Sequence, residues 1–122
     1  MRKIIGQFSV EYLQVLDENG NCDEKLMPKF VNEEIKRFYE LMILTRVFDD
    51  KAVKLQRQGR IGTYASVKGQ EACQIGSAIQ LMKGDFAVPA FREHGLFLTL
   101  GVSPTQMLQY WGGDERGSQF PE

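Results

Sequence analysis

The feature that most constrains this sequence is a long amphipathic stripe that begins near residue 32. Asn32 has a side chain that can cap a helix, and Gly59 is a residue type that commonly ends one. Between them, apolar residues recur at spacings of 3, 4, 4 and 3, at Leu41, Leu44, Phe48, Ala52 and Leu55. This spacing predicts a helix that runs to about Gln58 and packs one apolar face against a neighbour.

Three shorter helices are predicted after this one. The second begins near Gly69, the third covers about 93–100, and the fourth covers about 105–110. Ser103 followed by Pro104 is a typical start for the fourth helix, because serine caps and proline suits the first turn. The second helix is rich in small residues and ends in a turn at Lys83-Gly84-Asp85, which predicts a deeply buried helix that contains Ala72, Gly76, Ser77 and Ala78.

A single strand is predicted between the second and third helices. Phe86-Ala87-Val88 is a short apolar run stopped by Pro89, a pattern typical of a buried strand. A lone strand cannot satisfy its own edges, so it requires neighbouring strands from elsewhere. The fold class expected for residues 32–122 is therefore α/β, with the remainder of the domain outside this chain.

Residues 1–31 are expected to form an arm with little packing of its own. A β-prone stretch from Phe8 to Leu16 precedes the turn-forming sequence Asp17-Glu18-Asn19-Gly20-Asn21. Such a segment usually lies across another surface. The predicted organisation is thus an arm over 1–31 and a domain part over 32–122.

Charge and cysteine content exclude several classes of protein. The 122 residues carry 15 Lys and Arg against 16 Asp and Glu, a net charge of −1, which disfavours nucleic-acid binding by bulk charge. No apolar run approaches the ~20 residues of a membrane-spanning helix. Cys22, Cys73 and the single His94 do not form a metal-ligand pattern, so free, reduced and buried thiols are expected. The cytoplasm is the predicted compartment.

Three motifs together resemble one family. They are Leu55-Gln56-Arg57-Gln58-Gly59-Arg60-Ile61-Gly62, Gly69-Gln70-Glu71-Ala72 and Phe91-Arg92-Glu93-His94-Gly95. With the Arg46–Asp49 region upstream, their order and spacing resemble the alpha subunit of 2-oxo acid dehydrogenases. This is the thiamine-diphosphate-dependent first component of the pyruvate and branched-chain 2-oxo acid dehydrogenase complexes. The resemblance implies the N-terminal, mainly helical part of a three-layer thiamine-diphosphate-binding fold with a parallel sheet, about the first third of the subunit.

The resemblance also implies a set of binding residues. Arg92 follows the predicted strand, at the sheet edge where open α/β folds bind ligands. The family uses a Tyr-Arg pair to hold the cofactor diphosphate, and Phe91 and Arg92 occupy those positions here. Phenylalanine keeps the wall of the site and loses a hydroxyl donor. The substrate pocket is expected at Thr63 and Tyr64, where relatives often carry phenylalanine in place of Thr63.

No catalytic residue is assigned. His94 could be a general base, but a packing role is favoured because it has no nucleophile or acid partner at meaningful spacing. Glu71 in a first helical turn is explained by the helix dipole. Gly113-Asp114-Glu115 lacks the third glycine of the Mg²⁺-diphosphate signature, so the Mg²⁺ ligands are expected outside this chain segment and the chain alone is predicted to be inactive.

The resemblance implies an activity and its partners. The alpha subunit would pair with a beta subunit as a heterotetramer, decarboxylate a 2-oxo acid on thiamine diphosphate, and pass the acyl group to a lipoyl-bearing acyltransferase. An acetoin dehydrogenase alpha subunit is an alternative within the same chemistry. A helical protein-interaction module without catalysis is an alternative from another class.

Overall fold

The computed structural model of the chain describes residues 1–119. The chain divides into two compact units, the first being Met1–Val31 and the second beginning at Asn32. Among the described residues, no helix combines the length and the apolar character that a membrane span requires.

The first unit is irregular and contains one ordered turn. Asp17 accepts hydrogen bonds from the backbone N–H of Asn19 at 2.9 Å and of Asn21 at 2.7 Å. Leu16 and Cys22 form an isolated antiparallel bridge across this turn. The predicted turn is therefore present. The β-prone residues before it form no strand, and their large side chains from Phe8 to Leu13 are exposed.

Helix α1 spans Asn32–Arg57 and organises the second unit. Its end agrees with the prediction, and Gly59 just beyond it has the positive φ of +69° that favours glycine. The buried face consists of Leu41, Thr45, Phe48, Asp49 and Ala52. Leu44 from the predicted stripe is 40% exposed, since the buried face is narrower than the apolar pattern suggested.

Three helices and a short 3-10 helix pack after α1. Helix α2 is Glu71–Ala78, α3 is His94–Thr99 and α4 is Pro104–Trp111, followed by the 3-10 helix Glu115–Ser118. Ser103 caps α4 as predicted, since its Oγ accepts from the Gln106 N–H at 3.1 Å. The core of this unit comprises Phe48, Ala52, Tyr64, Leu98, Val102 and Met107.

The prediction of a strand at Phe86-Ala87-Val88 is wrong. No strand occurs among residues 1–119, and the side chains of Phe86 and Val88 are 93% and 94% exposed. A strand forms only where another strand accepts and donates its backbone hydrogen bonds, and the described part of the chain supplies none. The described structure is thus mainly helical, which agrees with the helical part of the predicted fold class, while its parallel sheet is absent from these residues.

Helix α2 is shorter and more exposed than predicted. It ends at Ala78 rather than near residue 83, and its buried side is Glu71, Gln74, Ile75 and Ala78. The small residues Ala72, Gly76 and Ser77 lie on the opposite, exposed face. Cys22 and Cys73 are free, as expected, but both are exposed rather than buried.

Candidate functional site

Arg92 lies in a tight turn immediately before α3. The Glu93 carboxylate closes this turn, because its Oε2 accepts from the backbone N–H of Ala90 at 2.9 Å and of Arg92 at 3.0 Å. The turn therefore depends on the residue that follows Arg92 in the motif. It presents Phe91, which is 64% exposed, next to the half-buried Arg92.

The Arg92 guanidinium is held by neutral groups. Its Nη1 donates a hydrogen bond to the Ser66 carbonyl, and its Cζ lies 5.5 Å from the centre of the Phe91 ring. Within residues 1–119, no carboxylate forms an ion pair with Arg92. The side chain is thus oriented while its positive charge is left available to an anion.

Gln74 of α2 holds the backbone on both sides of the α3 start. Its Nε2 donates to the Arg92 carbonyl at 3.0 Å, and its Oε1 accepts from the Gly95 N–H at 2.8 Å. A Cβ atom at Gly95 would lie 3.0 Å from that Oε1, so glycine allows α3 to approach α2 closely. This contact fixes the backbone of the motif independently of the Arg92 side chain.

A buried carboxylate from α1 organises the loop that faces Arg92. Asp49 is 1% exposed and accepts three hydrogen bonds from the loop 64–67. The donors are the Tyr64 hydroxyl at 2.8 Å, the Ser66 hydroxyl at 2.6 Å and the Val67 N–H at 2.8 Å. The loop has no regular secondary structure, so these bonds satisfy groups that no helix or strand would satisfy.

His94 is a buried aromatic in this assembly, which agrees with the packing role favoured for it. It is 2% exposed, its ring stacks on Tyr64 with centroids 4.7 Å apart, and its Nε2 lies 3.2 Å from the Ala65 carbonyl. Burial lowers the pKa of His94 below its usual value. The imidazole is therefore uncharged at neutral pH, and Arg92 is the fixed cation of the turn.

A largely apolar cavity of about 240 Å³ opens beside the turn. Phe91 and His94 contribute to its wall, whereas Arg92, Thr63 and Tyr64 do not. Its lining residues are Ala90, Phe91, His94, Phe97, Val102, Met107, Tyr110, Trp111 and Gly117.

The two residues expected at the substrate pocket lie in different environments. Thr63 is exposed, whereas Tyr64 is 5% exposed and its hydroxyl is engaged by Asp49. Burial and the bond to Asp49 both raise the pKa of Tyr64. The Tyr64 hydroxyl is therefore committed to the loop contact, and the substrate role of these two residues stays a prediction.

Glu71 has a partner that the helix-dipole explanation did not include. Arg46 of α1 donates from Nε to Glu71 Oε1, and Glu71 Oε2 accepts from the Gly69 N–H at 3.0 Å. The bond from Arg46 lowers the pKa of Glu71 to about 2. This pair ties α1 to the start of α2.

Sequence reasoning missed Asp49 and Gln74 as organising residues. Asp49 belongs to the Arg46–Asp49 region that contributed to the resemblance, but nothing in the pattern indicated its buried partners.

Among the described residues, no group of three or more His, Cys, Asp or Glu side chains could hold a metal ion.

Comparisons with known proteins identify the family. The sequence model of the family described as "Dehydrogenase E1 component" matches residues 39–120. The pyruvate dehydrogenase E1 component subunit alpha of Staphylococcus aureus (strain Mu50 / ATCC 700699) is 38% identical over 117 residues, which cover 95% of this chain and 32% of the relative. The same subunit of Staphylococcus epidermidis (strain ATCC 12228 / FDA PCI 1200) matches with the same identity and coverage. The chain spans about a third of the length of these relatives. The resemblance to the alpha subunit is confirmed, and the chain belongs to the dehydrogenase E1 component family.

Proposed function

We propose that this chain is part of the alpha subunit of a 2-oxo acid dehydrogenase and supplies part of its thiamine diphosphate site. The observation that carries the proposal is Arg92, a positive side chain oriented by a neutral carbonyl on a turn that Glu93 closes. The enzyme would decarboxylate a 2-oxo acid and transfer the acyl group to a lipoyl carrier. Pyruvate is the proposed substrate, because the matching alpha subunits are named for pyruvate dehydrogenase.

The residues of the turn suit a cofactor diphosphate. Arg92 has no carboxylate partner among the described residues, so a diphosphate oxygen can meet its charge without displacing an ion pair. Phe91 would form a wall beside it, without a hydroxyl to donate. Thiamine diphosphate, when bound, supplies the carbanion stabilisation that decarboxylation of a 2-oxo acid requires. The role of this chain is to bind and orient the diphosphate.

The remaining parts of the active enzyme are proposed to come from other segments and subunits. Mg²⁺ would be held by ligands elsewhere in the alpha subunit. A beta subunit would complete a cytoplasmic heterotetramer, which would transfer the acyl group to a lipoyl-bearing acyltransferase.

The exposed apolar surface of the chain supports the proposal that it packs against further protein. On α1 this surface consists of Ile35, Tyr39, Ile43 and Val47, all between 46% and 64% exposed.

The test is a calorimetric titration of thiamine diphosphate into the assembled apoenzyme. We expect Arg92→Ala to weaken binding by about 2 kcal/mol or more, because the diphosphate charge loses its partner. Arg37→Ala, an exposed arginine on α1, is the matched control and should leave the affinity unchanged. Equal affinities for Arg92→Ala and wild type would reject the role of Arg92. If the wild-type assembly does not bind the cofactor at all, the alternative of a helical protein-interaction module without catalysis is favoured.

A smaller effect is expected from Phe91→Tyr. The added hydroxyl can donate to a phosphate oxygen, so cofactor binding should tighten by ~1 kcal/mol or less. Phe91 is 64% exposed, and the larger side chain therefore has room. The same titration measures the change. A weaker complex would mean that the site is arranged around phenylalanine.

A further inference from the structure

We infer that Asp49 is a positioning residue for Arg92 and that it acts through the loop 64–67. The inference rests on the proposed function, because it concerns how Arg92 is presented to the cofactor diphosphate. Among residues 1–119, Asp49 and Arg92 share no hydrogen bond or ion pair, and the loop is the physical connection between them. The following contacts define that connection.

Both carboxylate oxygens of Asp49 are used by the loop. Oδ1 accepts from the Tyr64 hydroxyl and from the Val67 N–H, each at 2.8 Å. Oδ2 accepts from the Ser66 hydroxyl at 2.6 Å. The Val67 N–H belongs to the same peptide unit as the Ser66 carbonyl, so its bond to Asp49 fixes the direction of that carbonyl. The bonds from the Tyr64 and Ser66 hydroxyls hold the residues on either side of the Ala65 carbonyl.

Those carbonyls are the groups that meet the motif before α3. The Ser66 carbonyl accepts from Arg92 Nη1, and the adjacent Ala65 carbonyl lies 3.2 Å from His94 Nε2. One buried carboxylate therefore orients two consecutive carbonyl groups, and these contact the side chains of Arg92 and His94. If Asp49 is lost, the loop can rotate and the Arg92 guanidinium loses its fixed acceptor.

The backbone and the side chain of Arg92 have separate anchors. Gln74 and Glu93 hold the backbone, whereas Asp49 reaches Arg92 through Ser66, whose carbonyl contacts the guanidinium. Removal of Asp49 should therefore leave the turn in place and disorder the guanidinium. This predicts a loss of cofactor affinity beyond the loss that general destabilisation of the fold would cause.

The experiment uses the assembled apoenzyme, with calorimetric titration of thiamine diphosphate and thermal unfolding measured on the same samples. Asp49→Ala should raise the Kd for thiamine diphosphate at least about tenfold, because a misplaced binding group loses most of its contribution. Leu41→Ala is the matched control, since it removes a buried apolar side chain of the same helix and takes away no hydrogen-bond acceptor of the loop. It should lower Tm and leave the Kd within about twofold of wild type.

The conservative variant should rescue binding. In Asp49→Asn, Oδ1 can still accept from Tyr64 and Val67, and the amide can donate to the Ser66 hydroxyl, which also accepts. We expect a Kd within about threefold of wild type, since the loop remains fixed. If Asp49→Ala does not fold, Ser66→Ala takes its place. It removes the hydroxyl bound to Oδ2 and retains the carbonyl that meets Arg92, and it should raise the Kd several-fold.

The outcomes separate this inference from the proposed function. If Asp49→Ala and Leu41→Ala change the Kd equally for an equal loss of Tm, Asp49 serves folding only and the inference is wrong. An unchanged Kd in Ser66→Ala overturns it as well. If Arg92→Ala weakens binding while Asp49→Ala does not, only the inference about Asp49 fails. If Arg92→Ala binds like wild type, the proposed cofactor role fails and the inference fails with it.

Discussion

The loop 64–67 and the segment 86–89 both lack regular structure, yet the large side chains of the first are buried and those of the second are exposed. Val67 is fully buried and Tyr64 is 5% exposed, whereas Phe86 and Val88 are more than 90% exposed. The exposed segment is as apolar as the buried loop, so hydrophobicity does not explain the difference. The loop differs because α1 provides Asp49 as an acceptor for its polar groups.

The comparison shows what an irregular segment needs in order to enter a core. Its backbone and hydroxyl groups must find partners, since burying them without hydrogen bonds is costly. Near the exposed segment, Asp85 closes only a local turn, with its carboxylate accepting from the Met82 N–H at 2.8 Å. Within residues 1–119, a segment without such a partner is left exposed even though its side chains are apolar.

A large effect is expected from the loss of the loop anchor. Asp49→Ala should lower the free energy of unfolding of the chain by about 3 kcal/mol, because three donors lose their acceptor in or near the core. Asp50→Ala is the matched control, an exposed aspartate whose ion pair with Lys68 spans 3.3 Å, and it should cost less than about 0.5 kcal/mol. Chemical denaturation measures both. Equal losses would mean that the loop does not depend on Asp49.

A second, smaller effect is expected from pH. His94 has a folded-state pKa below its usual value of 6.5, so the unfolded chain binds more protons than the folded chain once the pH falls below 6.5. The contribution of His94 is therefore fully present above pH 6.5 and declines as the pH falls through the folded pKa. Because Glu71 has a pKa of about 2, its own contribution declines only below its usual value of 4.5.

Thermal unfolding between pH 7.5 and about pH 5 tests this expectation. The Tm of the wild-type chain should fall across this range, and His94→Phe should fall less, since it retains an aromatic ring without a titrating group. The chain has a single histidine, which makes the comparison specific. If Tm depends on pH in the same way for the two proteins, the loss of stability at low pH does not come from His94.

The smallest effect is expected in the exposed segment. Phe86→Ser should change the free energy of unfolding of the chain by less than about 0.5 kcal/mol, because the side chain is 93% exposed. Tyr64→Ser, the matched change in the buried loop, should cost about 3 kcal/mol or more through lost packing and the lost bond to Asp49. Similar losses at the two positions, measured by denaturant unfolding, would remove the distinction between the segments.

Local sequence signals predicted the helices well and the strand poorly. The end of α1 just before Gly59 and the Ser103 cap of α4 depend on residues a few positions apart, and both agree with the structure. The strand at 86–88 depended on partners that the local pattern does not reveal. The same limit applies to α2, where composition predicted burial but the packed side is set by Glu71, Gln74 and Ile75.

The family, the helical segments and the Phe91-Arg92 motif can be recognised from the sequence, because they reside in short-range spacing and residue type. The contact of Asp49 with the loop 64–67, and that of Gln74 with the motif across 18 residues, arise only in the folded chain. Such contacts join residues far apart in the chain, and local propensity contains no information about which buried donor an acceptor will find. The orientation of Arg92 is therefore a property of the folded chain.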